Sequence, residues 1–568
     1  MSLQIGNCPD LVSISISAHQ NVWDFCKSCP SLQILWCGVE GLPPVLPPLT
    51  FIEKLIQQPW RCIEELIVSN CPNLISITDL GEELHFLSLL KIENCPNLAS
   101  IPGVASLQRI RRLLVSSCGV ENLPKQLESC EELIISNCPN LRSDYWGELH
   151  SLTRLEIENC PNLTSFASMQ GAASLRRLVV SSCGVEDLPK RLELCEELII
   201  SNCRNLRGGY WGDLRSLTKL EIEKCPNLKS FATIHGAASL RRLVVSSCGV
   251  KSLPDALRSR TSLKELEILD CPKLMVMPDL PGHSLTRLHV MNCPDLVSIQ
   301  GAASLHRLQI WGCPNLMSFP ELRGGPYLEE LEIRLCPGLN FFLRLKAARS
   351  LKRLVVSFCE SLVALSKGLQ YCRNLEELTI WNCYNLKSIP DLRGLLSLTE
   401  LSIKNCRQLR CMSESLPDGL KTLVISPFCE ELQSFPTFIS YARFQHSLER
   451  LELCGWAILN SLPEEIQRFT AIRFLCINKC DGILALPEWL GNLFSLRSLT
   501  VDNCEKLEYF PTAEAMGSLT KLEIRDCPAL QERCAEYTGT EWFKIAHIPI
   551  IQIDGEYIRW REGIREDG

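Results

Sequence analysis

Along most of the chain apolar residues return in one short phrase, Leu-x-x-Leu-x-Ile-x-x-Cys, in which the second leucine and the isoleucine alternate with polar residues. Leu152, Leu155, Ile157 and Cys160 form one instance, and Leu217, Leu220, Ile222 and Cys225 another. Alternation with a period of two marks a strand buried on one face. Each phrase therefore predicts one short strand, its leucine and isoleucine turned to a core and the intervening residues turned the other way. Between phrases stand Pro124, Pro189, Pro254, Pro390, Pro463 and Pro487. Proline is excluded from helix interiors, so the return segments should be irregular or short 3-10 structure and not long helices.

The cysteine that closes the phrase recurs from Cys71 to Cys527, mostly 20 to 24 residues apart. That is the period of leucine-rich repeats, which contribute one strand each to a shared parallel sheet. The expected fold class is an α/β leucine-rich-repeat solenoid with the parallel β-sheet on its concave face and mostly irregular or 3-10 segments on its convex face. Cys429 falls one residue late after Pro427, and Cys454 falls two early, which leaves Trp456 in the ladder position. A second period overlies the first. The stretch beginning SSCGVENLPKQLESCEELIISNC at Ser116 returns 65 residues later at Ser181, and SSCGV returns again at Ser246. Copying a block without disrupting the rest suits an architecture in which each unit touches only its neighbours. The division expected is irregular repeats or a partial cap over 1–62, a solenoid of about 21 repeats over 63–527 with the duplication at 116–245, and a C-terminal cap over 528–568.

Thirty-two cysteines would suggest a disulfide framework in a small secreted chain. Here most occupy one register of a repeat, so they are read as core thiols in a reducing compartment. Stacked thiols roughly 5 Å apart leave occasional oxidation geometrically open. The N-terminus, MSLQIGNCPDLVSISIS, lacks a basic stretch followed by an apolar core, so no secretion signal is read there. No run approaches the roughly 18 apolar residues of a membrane span. Lysine plus arginine (58) falls short of aspartate plus glutamate (65), which argues against a nucleic-acid partner. The expected location is the cytoplasm, with the nucleus as an alternative.

The ladder cysteine, the phrase Asn-Cys-Pro-Asn-Leu at 137–141 and 159–163, and the Leu-Pro punctuation resemble the repeat region of plant nucleotide-binding leucine-rich-repeat disease-resistance proteins. The tail is more specific. Cys527-Pro-Ala-Leu-Gln-Glu-Arg-Cys534, then Gly539-Thr-Glu-Trp542 and His547-Ile-Pro549, is similar to the segment that closes the repeats in that family. The resemblance covers about 63–554. It implies an intracellular recognition module for a pathogen effector or a host target protein, and an inhibitory contact with a nucleotide-binding domain if a full-length receptor carries one. The chain itself has no Gly-x-x-x-x-Gly-Lys-Ser/Thr phosphate loop. Because Leu3, Ile5 and Cys8 are already in register, it reads as a fragment or truncated relative of a longer receptor. A substrate-selecting adaptor of a ubiquitin ligase is the alternative, and it would need a helical docking motif that the sequence does not show.

Neither catalysis nor a cofactor is expected. Cys26-x-x-Cys29, with Cys8 and Cys37 nearby, is the best candidate for zinc but lacks a second close pair, so irregular structural cysteines are the better reading. Binding is sought on the strand residues two before each ladder cysteine, which should face outward. Glu93, Ser116, Ser136, Glu158, Ser181, Ser201, Glu223 and Ser246 are small or acidic; then come Leu269, Met291, Trp311, Arg334, Ser357 and Trp381. Outward apolar and aromatic residues mark interaction sites, which makes Leu269, Met291, Trp311, Arg334 and Trp381 the candidate ligand-binding residues. The competing reading is that they pack on one another. The flanking Arg154, Glu156, Lys219, Glu221, Glu265, Glu267, Arg287 and Arg307 are expected to be a solvated charged face. Tyr145-Trp146 and its copy Tyr210-Trp211 are expected to pack on the convex side.

Overall fold

The computed structural model describes the strands Ser2–Gly6, Ser13–Ser15 and Ser31–Leu35 and then the chain from 64 to 560, apart from 80–86, 102–108, 125–126, 143–145, 147–148, 167–168, 170–171, 209–210, 212–213, 231–236, 259–261, 302, 318–326, 341–344, 346–347, 411–415 and 428–442. Cys8, Cys26, Cys29, Cys37, Tyr145, Tyr210 and Cys429 lie outside the described residues. The chain forms two compact units, 1–284 and 285–568.

In each unit the expected phrase is a strand of about five residues in a parallel sheet. In the N-terminal unit Arg154–Glu158 pairs in register with Arg177–Ser181, and that strand with Glu197–Ser201, so that Leu155, Leu178 and Leu198 stand in one row and Ile157, Val180 and Ile200 in the next. All six are fully buried. The C-terminal unit repeats the arrangement through Arg307–Trp311, Glu330–Arg334, Arg353–Ser357 and Glu377–Trp381. Removing each such side chain from water contributes roughly 1.5–3 kcal/mol. The sheet of this unit ends with Ile550–Ile553 parallel to Lys521–Arg525 and Glu556–Trp560 antiparallel to it.

The return segments are 3-10 turns, as at Asp255–Arg258, Lys367–Tyr371, Glu464–Arg468 and Glu488–Asn492. Pro463 and Pro487 cap the last two, where a missing N–H costs nothing. The α-helices described, Pro528–Arg533 and Trp542–Ile545, follow the last phrase. Trp146 and its copy Trp211 are buried on return segments, Trp146 lying 5.1 Å from the Phe166 ring and donating Nε1–H to Ser165 O. Trp456 is buried in the ladder position vacated by Cys454.

What the ladder thiols do is visible in their hydrogen bonds. Cys160 and Cys225 donate Sγ–H to the carbonyls of Glu158 and Glu223, at 3.4 and 3.3 Å. Cys203 reaches back a repeat to Val180 O. Towards the C-terminus Cys504 Sγ accepts the N–H of Cys480 and Cys527 Sγ that of Cys504. A small thiol, apolar yet able to donate and accept weakly, thus satisfies main-chain groups that the bend after the strand leaves buried.

Among the described repeats the residue before the ladder position is left-handed, except at Pro427. Asn94, Asn137, Asn159, Ser182, Asn202, Asn292, Asn382, Asn405 and Asn503 have φ between 51 and 53 or 55°. An L-residue in this region is disfavoured by about 1–2 kcal/mol, least for asparagine. The asparagines also bond along the edge: Asn94 Nδ2 donates to Asn70 Oδ1, Asn159 to Asn137, and Asn405 to Asn382, at 2.7 to 2.8 Å. Asparagine is therefore chosen by the backbone and by its neighbours alike.

One glycine is fixed by close approach. An added Cβ at Gly184 would overlap the carbonyl oxygen of Pro161, and the copies of this glycine, Gly119 and Gly249, meet Pro96 O and Pro226 O in the same way. Gly184→Ala should lower stability by about 1–3 kcal/mol or more, as overpacking does, read as a lower urea midpoint. An unchanged midpoint would mean that adjacent repeats can open at no cost.

Candidate recognition surface

The structure places the five candidate residues at one position of their strands. In the C-terminal unit Met291 is opposite Trp311, Trp311 opposite Arg334, Arg334 opposite Ser357 and Ser357 opposite Trp381. Leu269 holds the same position in the N-terminal unit, opposite Ser246. All five are half-buried, so each is on the open face of its own unit's sheet, and none is a fully free side chain.

Both readings of the line have support. The His289 and Trp311 rings meet edge to face at 5.7 Å, and the Arg334 guanidinium stands 5.5 Å from the Trp311 ring centre. Arg334 is also paired with Glu332, a buried carboxylate that accepts Gln309 Nε2 at 3.1 Å. Trp381 donates Nε1–H to Ser402 Oγ at 2.7 Å, and Lys404 Nζ lies 5.3 Å from its ring. These contacts hold the anchors in place. Three polar atoms in the same region nevertheless lack a hydrogen-bond partner among the described residues: His289 Nε2, Trp311 Nε1 and Ser357 Oγ. Each buried orphan costs roughly 1–3 kcal/mol. Ser357, between Arg334 and Trp381 in the row, is only 1% exposed.

The flanking charges are partly covered and paired, not simply solvated. In the N-terminal unit Arg154 bridges Glu132 and Glu156, Arg177 bridges Glu156 and Glu197, and Arg242 reaches Glu221, Glu265 and Glu267. Burial works against the Glu156 charge, but hydrogen bonds from Arg154 and Arg177 outweigh it and hold the carboxyl below its usual range. In the C-terminal unit Arg307 pairs with Glu330 and Arg353 with Glu377, at 2.7 and 2.8 Å. Like charges stand opposite one another in places, as Arg154 and Arg177 do, but carboxylates of the same and the neighbouring strands pair with them, which leaves the aromatic line as the feature that distinguishes the face.

Two thiols sit on the same face, where the sequence phrase gave no reason to look. Cys454 Sγ is 3.1 Å from Glu452 Oε1, which also accepts Lys404 Nζ at 2.6 Å. Desolvation and the Glu452 carboxylate push the Cys454 thiol up, and burial followed by Glu452 pushes Cys476 up to about 12. A nucleophilic cysteine needs the opposite shift. No group of histidine, cysteine or acidic residues that could hold a metal occurs among the described residues, and no helix among them is long and apolar enough to cross a membrane.

No family model matches the chain. It is 25% identical over 492 residues to disease resistance protein RPP5 of Arabidopsis thaliana, an alignment covering 75% of this chain and 32% of RPP5. It is 26% identical over 202 residues to disease resistance protein RPS4B of the same plant, covering 29% of this chain and 17% of that one. The chain is a leucine-rich-repeat solenoid similar to those of plant disease-resistance proteins. The solenoid spans about a third or less of these relatives. Among solved structures YopM from Yersinia enterocolitica is 19% identical, covering 81% of this solenoid and 87% of YopM, with a TM-score of 0.41.

Proposed function

We propose that this solenoid is the protein-recognition module of a plant disease-resistance receptor. Its ligand is a pathogen protein or a host protein that the pathogen alters, and the concave sheet face is where it binds. The carrying observation is the line Met291, Trp311, Arg334 and Trp381 in register on the open face of the C-terminal unit. Aromatic and arginine side chains held by neighbours lose little freedom on binding, which is what makes them anchors. Leu269 offers an apolar side chain at the same strand position in the N-terminal unit. In this reading the chain works inside the cell by surface complementarity, without catalysis or cofactor, and residues 528–568 act as the cap of the repeats. A nucleotide-binding domain is its further partner in a full-length receptor.

The test uses peptides selected from a displayed random library against the wild-type chain. Trp311→Ala and Trp381→Ala should each weaken their binding about tenfold or more, as hot-spot truncations do, with the thermal transition little changed. Equal affinity for wild type and both variants would remove these residues from the binding surface.

A further inference from the structure

Several cations along the strands of the C-terminal unit are matched, Arg307 by Glu330, Lys352 by Glu329, Arg353 by Glu377 and Lys404 by Glu452. Two arginines just ahead of the strands are not. Leu351 N–H closes a turn on Ala348 O, and one repeat later Leu375 N–H closes the same turn on Cys372 O, at 3.3 and 3.0 Å. Arg349 and Arg373 are the second residues of these turns. The chain that follows is paired, Glu376 N–H donating to Lys352 O at 2.7 Å, so the two arginines stand in one register on adjacent repeats. The turn itself does not ask for arginine, since Leu396, Thr470 and Phe494 hold the same place in later turns closed by Leu398, Ile472 and Leu496. Among the described residues neither guanidinium has a hydrogen-bond or ion-pair partner, although Glu376 stands three residues after Arg373. Like charges side by side on adjacent strands destabilise each other, and an anion held between them reverses the sign of that interaction.

The surroundings define which anion. Arg349 and Arg373 line one depression of about 700 Å³ with Tyr371 and Asn374. None of these described lining residues is a carboxylate, and all four can donate a hydrogen bond. Tyr371 ends the 3-10 turn Lys367–Tyr371, which carries no acidic residue, and is 53% exposed. Two guanidinium forks bring two positive charges and fit phosphate oxygens in pairs. A phosphomonoester answers with nearly two negative charges at neutral pH, where a carboxylate or a sulfate ester has one. A depression of this size exceeds what a phosphate group fills and falls in the range of small-ligand sites, and the Tyr371 ring gives the rest of the ligand a face to lie on. We infer that Arg349 and Arg373 form a binding site for a phosphomonoester, with the phosphoryl oxygens on the two guanidinium groups and the organic part of the ester against Tyr371. The site lies on turns ahead of the strands, so it stands whether or not Trp311 and Trp381 bind protein.

Phenyl phosphate added to the full chain should raise its melting temperature. By calorimetry it should bind at least about tenfold more tightly than phenyl sulfate, which has the same body and one negative charge. Arg349→Gln and Arg373→Gln should each weaken phenyl phosphate at least about tenfold, while the melting temperature without ligand stays the same or rises as the repulsion is removed. Should either variant melt below wild type, Arg349→Lys and Arg373→Lys, which keep the charge and lose the fork, carry the test with a loss of affinity in the same direction. Tyr371→Ala should weaken phenyl phosphate and leave inorganic phosphate as it was; no change with either probe would overturn the organic contact. Equal affinity for phenyl phosphate and phenyl sulfate, or for phenyl phosphate in wild type and the glutamine variants, would overturn the site and leave two solvated charges. Competition distinguishes the source of the phosphate. Displacement of phenyl phosphate at lower concentration by a phosphoserine peptide than by glucose 6-phosphate assigns the site to a modified protein side chain, and the reverse order assigns it to a free phosphate ester.

Discussion

Raising the pH from about 8.5 to 9.5 in the presence of reductant should destabilise this protein steeply, before its lysines and tyrosines titrate. Burial pushes Cys336, Cys372 and Cys406 up to about 12 in the C-terminal unit, and Cys130, Cys195 and Cys203 to about 12 in the N-terminal unit. A free thiol titrates near 8.5. Above that value the unfolded chain gives up protons that the folded chain keeps, so unfolding releases protons and rising pH favours it. The stability these thiols contribute is fully present below about pH 8.5 and is withdrawn up to about 12, at about 1.4 kcal/mol per pH unit for each thiol. Because the unfolded thiols are only half ionised at pH 8.5, three thiols in one unit remove about 3 kcal/mol between pH 8.5 and 9.5, a large part of the roughly 5–15 kcal/mol that holds a typical domain. Urea unfolding followed by circular dichroism gives the slope. A flat profile across this window would mean that these buried thiols reach solvent in the native state. Replacing Cys336, Cys372 and Cys406 together with alanine should flatten the slope in proportion, whatever it does to stability at neutral pH.

The strands were legible because their physics is local and repeated. Leu155 and Ile157 announce a buried face by alternation alone, and twenty-odd residues later Leu178 and Val180 announce it again in the row directly beside. The 3-10 returns followed from prolines such as Pro463 and Pro487, which forbid helix interiors wherever they stand. The common register of Met291, Trp311, Arg334 and Trp381 was legible for the same reason, since counting from the ladder cysteine fixes the direction of a side chain. How far those side chains are covered was not, because cover comes from the next strand. Ser357 is buried by what lies opposite it, and Trp381 is held by Ser402 and Lys404 one repeat on. The left-handed edge had a sequence signal, asparagine before cysteine, that the strand pattern does not use. The flanking charges looked solvated because each sequence position shows one sign; their pairing depends on the opposite sign arriving from the neighbouring strand, as Glu330 does for Arg307.

Leu331→Ala should lower stability by about 2–5 kcal/mol, the cost of a cavity at a fully buried leucine, and it should also weaken peptide binding although Leu331 touches no ligand in the proposed mode. Leu331 sits in the strand between Trp311 and Ser357, with Leu308 and Leu354 as its row neighbours. In a repeat protein, stability is a sum over neighbouring units, so a cavity there loosens adjacent strands first. Hydrogen exchange should show Arg307–Trp311, Glu330–Arg334 and Arg353–Ser357 losing protection while Arg154–Glu158 keeps it. Leu155→Ala removes an equally buried leucine from the N-terminal unit and should cost about as much stability, yet leave peptide binding near wild type. If Leu155→Ala impaired binding as much as Leu331→Ala, the chain would melt as one cooperative body and recognition could not be assigned to the strands around Arg334. If neither impaired it, the peptides would be held somewhere that does not depend on the order of this sheet.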